Sequence, residues 1–229
     1  MTKQLLTKKI FLFLSNNCYE IFLVGLLLHL YGSIFFNDPV FYGKYIRGVN
    51  VFFLYFSATN SFFHRRDSIH KIVWVIIVST LCLNLTLMYF DTSMVLTELR
   101  NISFLIFLSL ALYYILLFLI SPHRLDRALI SASIAGYLLI IEIAVRLFLI
   151  FYLQTNSQVL SNINLKQHTN TFIDTVYFCT VTITSIGFGD ILPLSHNAKM
   201  ATALLGLTGQ FYLVVIMGIM VSKFMSQQK

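Results

Sequence analysis

Long apolar runs separated by short polar stretches dominate this chain. A helix that crosses a bilayer needs roughly 20 predominantly apolar residues. Six runs meet that requirement, and each is predicted to be helical because lipid offers the backbone no hydrogen-bond partner. We place them at Cys18–Phe36, Tyr45–Phe63, Lys71–Phe90, Ile102–Ile120, Leu129–Leu153 and Met200–Phe224. The pattern predicts an all-α integral membrane protein with six transmembrane helices.

A seventh apolar segment lies between the fifth and sixth spans. Thr171–Thr184 has only about 14 residues and is too short to cross the bilayer. A stretch that contains Gly187 and Gly189 follows it. Non-helical backbone at membrane depth is tolerated only where protein buries it or where it lines a water-filled path. We therefore expect a re-entrant pore helix followed by an extended loop.

Composition supports a membrane protein and excludes two other classes. Of 229 residues, 58% are hydrophobic and only 11% are charged, whereas a soluble domain has about 25% charged residues. A globular cytosolic or secreted enzyme and a disordered chain are both excluded.

The net charge is +7. We interpret the basic residues as markers of membrane orientation, because they concentrate in cytoplasmic segments of membrane proteins. With the N-terminal segment 1–17 inside, ten of the 16 basic residues fall on the cytoplasmic side: Lys3, Lys8, Lys9, Arg65, Arg66, Lys71, Arg124, Arg127, Lys223 and Lys229. Lys44, Arg47, Arg100, Lys166 and Lys199 then fall in external loops. We expect both termini in the cytoplasm and a multi-pass protein of the plasma membrane, or of the inner membrane in a bacterium. We expect membrane lipids as partners and no binding of nucleic acid.

The residue types of the loop suit binding of a dehydrated cation. Such an ion needs a cage of oxygens, which backbone carbonyls supply. Aiming successive carbonyls to one side requires alternating backbone conformations, and Gly187 and Gly189 adopt positive φ without steric cost. The Ser185 hydroxyl adds one more oxygen at the inner end, and Asp190 places negative charge at the outer mouth.

The segment 184–190, Thr-Ser-Ile-Gly-Phe-Gly-Asp, resembles the Thr-Thr-Val-Gly-Tyr-Gly-Asp signature of the potassium channel pore superfamily. With four preceding spans, the chain is similar to small bacterial six-span potassium channels that have one pore loop. The resemblance implies a selectivity filter formed by Thr184, Ser185, Ile186, Gly187, Phe188, Gly189 and Asp190. It implies K⁺ at the carbonyls of Ser185, Ile186, Gly187 and Phe188. The permeant ion is then the only ligand expected, and no cofactor is required.

The resemblance also implies roles for two residues outside this segment. Tyr177 lies where the family has an aromatic residue that hydrogen-bonds the aspartate behind the filter, here Asp190. Gly209 lies where the family often has an inner-helix hinge, although close helix packing is an equal interpretation. Ser185 and Phe188 replace the usual threonine and tyrosine. We therefore expect fewer polar side-chain contacts to support the filter.

The chain divides into a four-helix membrane domain, 18–120, and a pore domain, 121–229. Ile102–Ile120 contains no charged residue, so we predict no arginine-based voltage sensor in the fourth span. The first four spans are either a scaffold around the pore or a sensor for lipid, tension or a small ligand. No soluble ligand-binding domain is expected.

Further residues were assigned to support and gating. Glu142 and Arg146 are four apart on one helix face, which favours an ion pair that braces the outer helix. Met217, Gly218 and Val221 were assigned with Gly209 to an inner-helix hinge or apolar gate, with packing or lipid contact as the alternative.

The sequence therefore predicts a potassium-selective channel that moves ions passively, and not an enzyme. One chain supplies one filter strand and four strands encircle an ion, so a homotetramer is expected. The alternatives are a non-selective monovalent cation channel on the same scaffold and a subunit of a potassium transporter.

Overall fold

A computed structural model describes residues 17–62, 75, 78–83, 94–121, 126–155, 159–163 and 168–227. Their main helices are α1 (Cys18–Tyr31), α2 (Arg47–Phe62), α3 (Met94–Ile120), α4 (Arg127–Thr155), α5 (His168–Ile183) and α6 (His196–Gln227). A 3₁₀ turn, Gly32–Phe35, extends α1. A short helical turn, Pro39–Phe41, and a π-helical stretch, Tyr42–Ile46, precede α2.

Four of the helical segments are long and apolar enough to cross a membrane, namely Cys18–Phe35, Met94–Ile120, Arg127–Gln154 and His196–Gln227. They correspond to the first, fourth, fifth and sixth predicted spans. The second predicted span is represented by α2, which has 16 residues. Within the third, residues 75 and 78–83 are helical. The basic residues Lys3, Lys8, Lys9, Arg65, Arg66, Lys71, Arg124, Lys166 and Lys229 lie outside the described residues.

Two arginines that charge counting assigned to the external side lie in helices, and one of them, Arg47, already fell within the predicted second span. The fourth span was predicted to begin at Ile102, but α3 begins at Met94 and includes Arg100. Arg47 is the first residue of α2, and its guanidinium carbon lies 4.0 Å from the centre of the Phe172 ring. Stacking on an aromatic face stabilises a guanidinium among apolar groups, which charge counting along the sequence does not detect.

One hydrophobic cluster runs through both predicted domains. It includes Phe22 of α1, Leu54 of α2, Phe107 of α3 and Phe148 of α4, each at most 1% exposed. Helix α1 packs against α2 and α4, and α3 packs along α4. Helices α1, α2 and α3 therefore share a core with α4 of the pore region.

Helix α6 lies against α4 and α5 with one buried face. Tyr212 donates a hydrogen bond to the Ser133 carbonyl of α4 at 2.7 Å. At the far end, Lys223 donates to the Ser121 carbonyl at 2.7 Å, which joins the end of α6 to the end of α3. The N-terminus is capped by Ser195, whose hydroxyl accepts from Ala198 N–H at 3.2 Å. This cap explains why α6 begins four residues before the predicted Met200.

Gly136 makes the contact between α4 and α6 possible. A Cβ on Gly136 would overlap the Tyr212 hydroxyl and would lie 3.2 Å from Ile115 Cγ2. We therefore expect Gly136→Ala to lower the free energy of unfolding by about 1–3 kcal/mol, the usual cost of overpacking. The measurement is the thermal midpoint of the purified protein in detergent.

The control for this substitution is Gly218→Ala, because a Cβ there meets nothing within 4 Å in one chain. Adding Tyr212→Phe to Gly136→Ala removes the overlapping oxygen and should restore part of the lost stability. Equal midpoints for Gly136→Ala and the wild type would contradict this packing.

Candidate functional site

The end of α5 turns directly into the loop that carries the two glycines. Thr184 Oγ1 donates to the Thr180 carbonyl at 2.7 Å. The backbone N–H groups of Ile186 and Gly187 both donate to the Val181 carbonyl, at 2.9 and 3.1 Å. The first N–H groups of the loop therefore bond with carbonyls of the last helical turn. These bonds fix where the loop begins.

The backbone of the loop alternates in hand. Ser185, Gly187 and Gly189 have φ of +60°, +52° and +80°, whereas the intervening Ile186 and Phe188 do not have positive φ. Alternation of left- and right-handed conformations turns successive carbonyls toward the same side of the chain. Two of the left-handed positions are glycines, for which this conformation has no Cβ penalty, and the third is a serine.

The carbonyl oxygens of residues 185–189 accept no hydrogen bond from the part of the chain that the structure describes. The same residues are exposed in a single chain, including 56% of Ile186 and 69% of Phe188. A row of unpaired carbonyls beside exposed apolar side chains is a surface suited to contact with an ion and with other protein chains.

Asp190 is held from two directions at the end of this row. The Tyr177 hydroxyl of α5 donates to Asp190 Oδ2 at 2.8 Å, as the sequence predicts. Hydrogen bonding to that carboxylate raises the pKa of Tyr177, so the phenol stays protonated and continues to donate. The Phe188 ring stacks on the Tyr177 ring with centres 6.5 Å apart. Tyr177 of α5 therefore contacts the loop at both Phe188 and Asp190.

A second anchor comes from the segment before α5, which the sequence treated only as a polar external loop. Asn162 Nδ2 donates to the Asp190 carbonyl at 2.8 Å. Ser161 N–H donates to the Leu192 carbonyl at 2.8 Å, and Leu194 N–H donates to the Val159 carbonyl at 2.9 Å. The one available sequence signal was Asn162 itself, because asparagine tolerates the left-handed conformation, here φ +56°.

Two neighbouring helices also reach the base of the loop. Tyr137 of α4 donates to the Ile183 carbonyl at 3.1 Å. Gln210 of α6 donates from its side-chain nitrogen to Ser185 Oγ at 2.8 Å. Neither contact was predicted, because both depend on how three helices that are distant along the chain pack together.

Glu142 and Arg146 form the ion pair that their spacing predicts, but a third residue joins them. Arg146 Nε donates to Glu142 Oε1 at 2.7 Å, and the second nitrogen, Nη2, also contacts this oxygen. His29 Nε2 of α1 lies 3.1 Å from Glu142 Oε1 and 3.0 Å from Arg146 Nη2. Glu142 and His29 are fully buried, and Arg146 is 5% exposed.

This polar cluster connects α4 to α1, a contact that the spacing of Glu142 and Arg146 did not predict. The Arg146 guanidinium carbon lies 4.2 Å from the centre of the Phe104 ring of α3 and 5.6 Å from that of Phe172 in α5. The cluster therefore lies where four helices meet. His29 of α1 is one of its members.

The residues assigned to a hinge or gate lie in different environments. A Cβ on Gly209 would overlap the Ile183 side chain and lie 3.1 Å from its carbonyl oxygen, which favours the close-packing interpretation. Met217 and Val221 are 62% and 55% exposed in a single chain. A Cβ on Gly218 would meet nothing within 4 Å. A gating role for these residues remains a prediction.

Among the residues that the structure describes, no group of three His, Cys, Asp or Glu side chains is placed to hold a metal ion. The oxygens that suit a cation are the backbone carbonyls of the loop. Such oxygens suit hard monovalent ions without a charged ligand set.

The chain is similar in sequence to ion channels. Residues 136–226 match a family model described as ion channel. The chain is 30% identical over 109 residues to a two-pore potassium channel 4 of Arabidopsis thaliana, covering 48% of this chain and 38% of that protein. An uncharacterized protein of Methanothermus fervidus is 44% identical over 55 residues, covering 24% of this chain and 9% of that protein. No solved structure matches the chain.

The apolar helices indicate a multi-pass membrane protein, and residues 136–226 are similar to the ion channel family. The pore half of the chain is similar to an ion channel family and to a protein named as a potassium channel. The chain spans less than two fifths of the length of each of these two curated relatives.

The polar cluster generates a stability prediction. Glu142→Gln removes the one carboxylate that contacts Arg146 and leaves a buried guanidinium without a counter-charge. Breaking a buried pair in this way costs about 3–5 kcal/mol. The double substitution Glu142→Leu with Arg146→Met removes both members of the pair together and should cost less. The measurement is the thermal midpoint in detergent.

Glu98→Gln is the matched control, since the Glu98 carboxylate makes an exposed hydrogen bond with Gln154 and its loss should change stability by at most about 0.5 kcal/mol. Equal losses for the single and the double substitutions at positions 142 and 146 would show that the charge balance of this cluster does not matter.

Proposed function

We propose that this protein is a homotetrameric potassium channel that conducts K⁺ passively. The observation that best supports this proposal is the alternating backbone conformation of the loop, with positive φ at residues 185, 187 and 189. It supports a filter strand whose carbonyls face one side and bind a dehydrated cation in place of water.

The number of chains follows from the single strand. Four equivalent loops encircle an ion in a carbonyl filter, and this chain contains one Gly-Phe-Gly. The exposed side chains of Ile186 and Phe188 and the exposed apolar face of α6, which includes Leu204, Phe211 and Val214, supply surface that other copies would cover. Cyclic fourfold symmetry follows for a closed ring of identical subunits.

Potassium is proposed as the ion on two grounds. The segment 184–190 resembles the potassium channel signature, and one relative is named as a potassium channel. Ser185 and Phe188 depart from that signature, so a non-selective cation channel is the competing function. The Tyr177–Asp190 and Asn162–Asp190 bonds support a fixed filter mouth and hence selectivity. Glu142 and Arg146 are proposed to support the filter indirectly, by holding α4 against α1.

Gating in this proposal does not use arginines in the fourth span. Within 102–120 the sequence has no charged residue, so little gating charge would move through the field there. The exposed Met217 and Val221 of α6 are proposed to line an apolar constriction that closes by dewetting. Both termini are proposed to be cytoplasmic, in agreement with the basic segments between predicted spans.

The proposal is tested by ion flux from potassium-loaded liposomes that contain the purified protein. Gly187→Ala should abolish most of the flux, because an L-residue in the left-handed conformation costs roughly 1–2 kcal/mol at each position. Gly206→Ala is the matched control. A Cβ meets nothing within 4 Å at either glycine, but only Gly187 has positive φ.

Equal flux from the wild type and Gly187→Ala would refute the filter assignment. Reversal potentials measured with potassium on one side and sodium on the other distinguish a potassium-selective channel from a non-selective one. A reversal near the potassium equilibrium potential supports the proposal, and a reversal near zero assigns the non-selective channel instead.

A further inference from the structure

Gln210 is placed on the filter by close packing between α6 and the end of α5. The neighbouring Gly209 has no Cβ, and a Cβ there would lie 3.1 Å from the Ile183 carbonyl oxygen. This approach brings the Gln210 side-chain nitrogen to 2.8 Å from Ser185 Oγ, 25 residues earlier in the chain. No apolar side chain at position 210 would make this bond.

The bond changes what the Ser185 hydroxyl offers to an ion. A hydroxyl has one hydrogen to donate and two lone pairs to accept. The Gln210 N–H uses one lone pair and places a positive dipole end beside the oxygen. Ser185 also has φ +60°, a conformation that costs a non-glycine residue roughly 1–2 kcal/mol. A side-chain bond to a second helix helps to hold it there.

We propose that Gln210 weakens cation binding at the innermost site of the filter by occupying a lone pair of Ser185. The inference rests on the proposed function, in which Ser185 forms the inner oxygen ring of a tetrameric filter. Conduction requires an ion to leave a site as well as enter it. Four glutamine amides around this ring lower the affinity of the site that faces the inner cavity.

Block by Ba²⁺ measures this affinity, because Ba²⁺ resembles K⁺ in size and carries twice the charge. The protein is reconstituted in planar bilayers, and Ba²⁺ is added on the side where α6 ends. Gln210→Leu should tighten block by about five- to tenfold, in the range of one net hydrogen bond. Gln210→Glu should tighten it further, because a carboxylate accepts from the Ser185 hydroxyl and adds negative charge.

A double-mutant cycle with Ser185→Ala separates this role from a general effect on packing. With Ser185→Ala present, Gln210→Leu should change the dissociation constant for Ba²⁺ by less than about twofold. The matched control is Thr208→Val. The Thr208 hydroxyl donates to the Leu204 carbonyl of its own helix, and its removal should leave block unchanged.

The proposal is overturned if Gln210→Leu leaves Ba²⁺ block unchanged or weakens it, or if the change is as large with Ser185→Ala present. If Gln210→Leu does not assemble, Gln210→Asn serves instead, because its amide is one methylene shorter and does not reach Ser185. Wild-type protein without a Ba²⁺-sensitive K⁺ current would defeat the proposed function itself, whereas a normal current with unaltered variants defeats this inference alone.

Discussion

Backbone carbonyls without a hydrogen-bond partner are the constraint on which the pore half depends. The oxygens of residues 185–189 accept nothing from the described part of the chain. They belong to a loop that follows a helix too short to span the membrane. An unsatisfied carbonyl in an apolar medium costs several kcal/mol. Alternating φ values are the conformation that turns successive carbonyls to one side, and in the proposed channel a cation shared among several chains would compensate these oxygens together. The two glycines make this conformation accessible, and Ser185 is the position where the backbone is strained.

The surrounding structure holds this loop at both ends. At the start, the Val181 carbonyl and the Tyr137 hydroxyl fix the last turn of α5. At the end, Tyr177 donates to the Asp190 carboxylate and Asn162 donates to the Asp190 carbonyl. Further out, the buried cluster built on Glu142 joins the four-helix region to the pore region. The first spans are therefore not a separate module attached by a linker, since His29 of α1 is part of the packing that positions α4.

The sequence predicted most of what depends on local pattern. Apolar length located the spans that the structure describes, and the glycine spacing located the loop, because both signals are carried by consecutive residues. The Tyr177–Asp190 bond followed from a resemblance in register. The sequence did not reveal Asn162, Gln210 or His29 as part of the site, because each acts through a contact between segments that are distant along the chain. It also placed Arg100 in an external loop, because a charge ordinarily marks the end of a span. The structure shows Arg47 stacked on Phe172, a compensation that composition does not indicate.

The central claim is that four copies of this loop surround a line of bound cations. The most direct measurement is a cryo-electron microscopy map of the purified full chain in potassium chloride. We expect a fourfold symmetric particle with density on the axis between successive carbonyl rings of residues 185–188. A particle without fourfold symmetry, or a fourfold axis on which these carbonyls face away from the centre, would contradict it.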